Sequence, residues 1–189
     1  GVDLVSLGEM YTAKAAGFDL SRACLHGNNK TDGDIAFAMD AGVGYFVVDN
    51  EEEIDAIGRL ALEKGLRQQV VLRITPGIDT HTYEAIQTGQ VDSKFGSAIE
   101  TGLAAKMTKA ALTKMNVELC GFHCHIGSQI FVSDPFREAA TLMLEFAAQI
   151  RDAHGYAPKY LNLGGGMGVP YVEADPTIDY EKNLRSIGQ

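Results

Sequence analysis

Leu119-Cys120-Gly121-Phe122-His123-Cys124-His125-Ile126-Gly127-Ser128-Gln129 opens the part of the chain whose reading decides the fold. Residues 119–126 form an apolar run that stops at a Gly-Ser turn, the signature of a buried strand. Residues 134–154 then carry Phe136, Ala140, Met143, Ala147 and Ile150 at three- to four-residue spacing, the stripe of an amphipathic helix. Ser133 or Asp134 can cap its first turn, Pro135 suits the N1 position and Gly155 stops it. Residues 160–163 read as a second strand, closed by Gly164-Gly165-Gly166. Strand, helix, strand at this spacing is a βαβ unit, which requires a parallel sheet.

The same alternation runs back to residue 1. Further strands are predicted at 2–6, 23–26, 45–48 and 70–75, and helices at 9–16, 32–41, 51–64 and 99–115. No linker, repeat or low-complexity tract interrupts them, so residues 1–189 are predicted to form one α/β domain. An open doubly wound sheet and a (β/α)8 barrel both fit, and periodicity does not separate them. Six strands in 189 residues fall short of a whole barrel, which takes roughly 250 residues. In both architectures ligands sit at the carboxyl ends of the strands. Polar residues collect there: Ser6, His26-Gly27-Asn28-Asn29, Asp49-Asn50, Thr75, Gly127-Ser128-Gln129 and Gly164-Gly165-Gly166 all follow strands.

Composition narrows the partners. The net charge of -9 comes without a basic stretch to neutralise phosphates, which argues against nucleic acid. No apolar run reaches the roughly 18 residues of a membrane span, and residues 1–10 lack the pattern of a signal peptide. Cys24, Cys120 and Cys124 are odd in number and lack framework spacing, so a reducing cytoplasm is the expected compartment.

Four motifs carry chemistry. Gly164-Gly165-Gly166 directly after a strand lets the backbone approach an anion and present N–H groups to it, with phosphate the natural guest. A flexible turn would read the same, and Pro170 comes too soon for a dinucleotide fingerprint. In the second motif, strand alternation sends His123 and His125 to one face and Phe122 and Cys124 to the other. A flat cofactor facing the histidines suits this better than a metal, since the cysteine points away; no metal set is expected. Ser93-Lys94-Phe95-Gly96 closes a polar loop that starts at Asp79, where a solvated lysine is the simplest reading. Arg73, fourth, lies within an apolar strand, where a charge needs a partner; Glu9 or Asp3 would serve.

Taken together, these runs resemble the diaminopimelate decarboxylase family, within the alanine-racemase-like enzymes that use pyridoxal 5'-phosphate. The matching stretches are GVDLVSLGEMYTAKAAGF (1–18), HGNNK (26–30), VLRITPGIDTHTYEAIQTGQVDSKFG (71–96), GFHCHIGSQI (121–130), PFREAA (135–140) and YLNLGGGMGVPY (160–171). The resemblance implies a partial (β/α)8 barrel of about strands two to seven. Strands one and eight and a β-rich C-terminal domain would be missing, so the chain reads as a fragment, incomplete at both ends and inactive alone. It implies a cytoplasmic homodimer in lysine biosynthesis that decarboxylates meso-diaminopimelate to L-lysine.

The same resemblance assigns residues. His125 would stack on the pyridine ring, while Ser128, Gly164, Gly165 and Gly166 would hold the phosphate. Arg73 with Glu9 would form the polar floor, Asp3 would lie close to the absent Schiff-base lysine, and Lys94 near the partner subunit. Whether Lys14, Lys30 or Lys94 replaces that lysine is left open, Lys30 lying nearest the rim. Alternatives are a related decarboxylase of ornithine, arginine or carboxynorspermidine, an amino-acid racemase of the same fold, and a non-catalytic pyridoxal-phosphate-binding module.

Overall fold

Helix and strand boundaries follow the local chemistry of the chain. A computed structural model describes residues 1–78 and 95–188. Its strands are β1 (Val2–Leu4), β2 (Ala23–Leu25), β3 (Tyr45–Val48), β4 (Gln68–Thr75), β5 (Ser97–Ala98), β6 (Val117–His123) and β7 (Tyr160–Asn162). The helices are α1 (Leu7–Ala15), α2 (Asp32–Asp40), α3 (Glu51–Glu63), α4 (Leu103–Thr113), α5 (Asp134–His154) and α6 (Tyr180–Ile187). Side-chain oxygens start several of them by accepting an orphan N–H: Ser6 for α1, Thr31 in a capping box with Asp34 for α2, Asn50 for α3. Ser133 occupies the N-cap of α5 without a side-chain bond; Pro135 lies in the first turn and left-handed Gly155 ends the helix.

Differences from the sequence reading have local causes. The first strand stops at Leu4, not residue 6, because Ser6 turns away to cap α1. β6 ends at His123, so Cys124 to Gly127 continue as coil. The predicted helix at 99–115 is shorter, since Ser97 and Ala98 pair with β4 and Gly102 takes a left-handed conformation. β5, of two residues, is too short to carry a period, and α6, which buries no residue, carries Tyr180, Leu184 and Ile187 on one stripe that the sequence reading did not single out.

Strand order decides between the two architectures. The sheet runs β1-β2-β3-β4-β6-β7, with β5 extending β4, and every pairing is parallel. A doubly wound sheet needs a point where the order reverses; here the strands follow the chain. Right-handed crossovers then place all connecting helices on one face, and twist curls the sheet into a barrel wall. The fold is α/β, a partial (β/α)8 barrel.

The two faces differ sharply. On the helix side Leu4, Leu25, Phe46, Val48, Val70, Leu72 and Phe122 join Ile35, Ile54, Met107 and Met143 from the helices in one large buried cluster. The inner face holds a cluster of only Cys24, Val47 and Val71, flanked by Tyr45 and Tyr160, whose rings stack 5.6 Å apart. All three cysteines are free and buried. Among the described residues no helix is long and apolar enough to cross a membrane.

Candidate cofactor site

Above the small inner cluster the wall turns polar. Register explains how: Arg73 on β4 pairs with His123 on β6, which pairs with Asn162 on β7. These positions share the inner face with Asp3 and Cys24, themselves paired between β1 and β2. The carboxyl ends of the strands therefore deliver side chains to one rim. There a cavity of about 440 Å³ is lined by Asp3, His26, Arg73, His123, His125 and the Gly164-Gly165 turn, among others. Hollows of similar size flank the 27–34 loop and α6; this one gathers His123, His125, Arg73 and the Gly164-Gly165 turn at the carboxyl ends of the strands.

Burial sets the protonation of the histidines. His123 is 4% exposed, and its proton affinity is pushed down to about 3, first by burial and then by the charges of His26 and Arg73. It is neutral at physiological pH, with Nδ1 lacking a hydrogen-bond partner. The rings of His26 and His123 meet edge-on, 5.0 Å between centroids. His26 Nε2 lies 3.3 Å from Asp3 Oδ1 and, like His123 Nδ1, is buried without a hydrogen-bond partner. Burial lowers the proton affinity of His26, with Asp3 opposing, and of His125, with Arg73 reinforcing. The site is a set of neutral rings beside one guanidinium.

The glycines are required by close approach. A Cβ on Gly166 would sit 1.8 Å from Gly127 O, and Gly166 adopts φ +104°, where L side chains are strained. A Cβ on Gly164 would meet Cys124 O at 2.6 Å and the His125 ring at 2.9 Å. Gly165 has nothing within 4 Å and faces open space. The 127–130 and 164–168 segments are laced by Ile130 N to Gly166 O at 3.0 Å and Gly168 N to Ile130 O at 2.9 Å.

Of the residues singled out in the sequence, His125, Arg73, Asp3, Gly164 and Gly165 converge on the cavity. Ser128 is exposed on the rim and Gly166 stands behind the lining. Glu9 does not pair with Arg73: its Oε2 accepts the N–H of Val5 at 2.6 Å, and the side chain is exposed on α1. The carboxylate whose field Arg73 feels is Asp49, at the end of β3, while the Phe95 ring covers the guanidinium at 4.4 Å. Asp3 faces His26 instead. Lys94 and Ser93 lie outside the described residues. Lys30 is no candidate for a covalent anchor: its Nζ donates to Glu53, to Gly27 O and to Val47 O, and its side chain is 3% exposed. Lys14 is exposed on α1. Among the described residues no lysine lines the cavity and no group of side chains is arranged to hold a metal. Sequence reasoning did not assign roles to His26, Asp49 and Phe95; their one signal is a position where a strand ends or begins.

A parallel barrel wall with histidine, arginine and glycine turns at its carboxyl rim marks the α/β class of protein that carries small-molecule sites at that rim. A family profile described as "Pyridoxal-dependent decarboxylase, pyridoxal binding domain" matches residues 1–189, and the chain belongs to that family. Its cofactor is pyridoxal 5'-phosphate. Its relatives include diaminopimelate decarboxylases: that of Staphylococcus aureus (strain COL) is 46% identical over 186 residues, covering 98% of this chain and 42% of that protein. The Bacillus subtilis (strain 168) protein is 44% identical with the same two coverages, 98% and 42%. Among solved structures, diaminopimelate decarboxylase from Helicobacter pylori complexed with L-lysine superposes with TM-score 0.90 at 30% identity, over 99% of this chain and 46% of that one. The Methanocaldococcus jannaschii enzyme in complex with L-lysine gives 0.89 at 34%, over 99% and 43%. The chain thus spans less than half the length of the proteins it matches.

Proposed function

We propose that residues 1–189 act as one pyridoxal-phosphate-binding barrel domain of a cytoplasmic diaminopimelate decarboxylase. Such an enzyme removes one carboxylate of meso-diaminopimelate to leave L-lysine, in the pathway of lysine biosynthesis, and works as a homodimer. The observation that carries this reading is the convergence of His125, Arg73 and Gly164-Gly165 on one cavity at the carboxyl rim. The diaminopimelate decarboxylase relatives supply the substrate, and the two solved relatives complexed with L-lysine supply the product class.

The residues present fit the cofactor. A cavity of about 440 Å³ lies within the range of small-molecule sites, and the turn is bare at Gly165, where a phosphate can approach the backbone. Pyridoxal phosphate supplies the electron sink that decarboxylation needs, and the protein supplies orientation and electrostatics. His125 is assigned to stack on the pyridine ring, and Gly164 to Gly166 with Ser128 to hold the phosphate. Arg73 and Asp3 form the charged floor, with Glu9 on the adjoining helix at the rim. His123, neutral and buried in the cavity wall, would help to keep water out.

A titration of the chain with pyridoxal phosphate, followed by borohydride reduction and intact-mass measurement, tests the reading. A saturable absorbance change is expected, without a specific lysine adduct. His125→Ala should weaken binding by roughly 2- to 10-fold, the value of one aromatic contact. Equal affinity of variant and wild type would remove His125 from the site, and a single trapped lysine would overturn the assignment of the anchor.

A further inference from the structure

Next to the cavity lies a buried charge network that the proposed chemistry does not use. Lys30, on the turn after β2, reaches Glu53 in the first turn of α3 and the carbonyls of Gly27 and Val47. Glu53 Oε2 in turn accepts the backbone N–H of Asp49 at 3.0 Å, and Asn50 Oδ1 accepts from Glu53 N at 2.8 Å. Lys30 and Glu53 have side chains only 3% and 4% exposed. The pair thereby fixes the backbone from which Asp49 projects.

Asp49 is itself 6% exposed and spans to a distant part of the chain. Its Oδ1 accepts the N–H of Gly96 at 2.8 Å, while Oδ2 is buried without a hydrogen-bond partner. Gly96 is packed on Arg73: a Cβ there would come within 2.9 Å of Arg73 O and 3.1 Å of its Cγ. One residue earlier, Phe95 lays its ring over the guanidinium, and its carbonyl accepts from Thr75 Oγ1 at 2.8 Å. The corner at 95–96 is therefore clamped from two sides, by Asp49 and by Thr75, and the clamped groups cover Arg73.

We infer that Asp49 is a positioning residue of the cofactor site, holding Arg73 against the inner wall through the Phe95-Gly96 corner and through its own charge. The inference rests on reading Arg73 as part of the cofactor floor. Lys30 and Glu53 belong to the same device, one step further out: they set the place of Asp49 rather than touch the cavity contents. An apolar pair of similar volume would fill the space of Lys30 and Glu53, but would not present a hydrogen-bond acceptor to Asp49 N.

The test reads Arg73 through its neighbour. Arg73 lowers the proton affinity of His125, so the His125 ring, followed by NMR in labelled chain without cofactor, reports whether the guanidinium stays in place. Among the described residues the other charged and titratable groups facing this region are His26, Asp3, His123, Cys124 and, next to Asp49, Lys30. In Asp49→Asn the remaining Oδ1 can still accept from Gly96, but the charge is gone. Simple removal of a negative charge leaves the His125 titration unchanged or lower. Displacement of Arg73 moves it upward, and a rise of about half a unit or more is expected, together with at least roughly 5-fold weaker binding of pyridoxal phosphate. Phe95→Leu, which keeps every charge, should shift His125 in the same direction by less. No upward shift in either variant would overturn the inference, and Phe95→Leu decides alone should Asp49→Asn not fold. If the wild-type chain takes up no pyridoxal phosphate, the functional reading fails, while the His125 titration still settles the role of Asp49.

Discussion

The two faces of the sheet are built by opposite rules. The helix side is a continuous apolar core in which Phe122 is fully buried and meets Phe146 and Tyr156 edge-on. On the inner side three small apolar residues suffice, and above them Arg73, His123 and Asp49 are taken out of water at a cost in solvation. One face supplies the stability, the other spends part of it on a preorganised polar surface. Orphaned atoms mark the difference: among the described residues the buried side-chain atoms without partners, His26 Nε2, Asp49 Oδ2 and His123 Nδ1, belong to the inner side or its rim.

The contrast can be broken most severely from the outer face. Phe122→Ala leaves a cavity between β6 and α5 and should cost about 3–5 kcal/mol in urea unfolding. On the rim, Lys30→Met strands the Glu53 carboxylate, which burial already biases toward the neutral form, and should cost about 3 kcal/mol, within the range for broken buried pairs. The double variant Lys30→Met/Glu53→Leu should recover most of that loss; a double variant as unstable as the single would show that packing, not the stranded charge, is responsible.

Acid sharpens the comparison. His123 has a folded value of about 3, well below the ordinary 6.5, so the unfolded chain binds a proton that the folded chain refuses. Stability from this group is complete above about pH 6.5 and is lost as pH falls from there toward 3, by on the order of 2–4 kcal/mol. His26 and His125, also lowered, act in the same sense. Asp49 and Glu53, raised by burial, act oppositely by taking up protons in the folded state first. His123→Phe should flatten the acid limb of the stability curve, and a limb of unchanged steepness would assign it to other groups. The smallest effect belongs to the surface: Arg59→Ala, which removes the exposed pairs with Asp32 and Glu63, should leave the urea midpoint almost unmoved.

Much of the architecture is legible locally. The helix at 134–154 carries its stripe, its proline and its terminal glycine in one contiguous segment, and the structure places it there. The glycines at 164–166 announce a tight turn, and the close approach of Gly164 to Cys124 and of Gly166 to Gly127 is what requires two of them. Arg73 was recognisable as a buried charge needing a partner, but the partner was not. Glu9 looked suitable through family resemblance, yet it bonds the backbone of its own segment at Val5. Lys30 looked like a rim lysine, since nothing adjacent in the chain reveals that Glu53 will fold over it.

Periodicity, capping residues and turn glycines are properties of neighbouring residues, and through them the sequence by itself determined the alternation of strands and helices and the rim on which the polar residues fall. Strand order, and with it the choice of a barrel wall over a doubly wound sheet, emerged only when β1 through β7 paired. The same holds for the contacts of Asp49 with Gly96 and of Lys30 with Glu53. Such pairings join residues far apart in the chain, and they are decided by which charges must share a buried space once the sheet has closed around them.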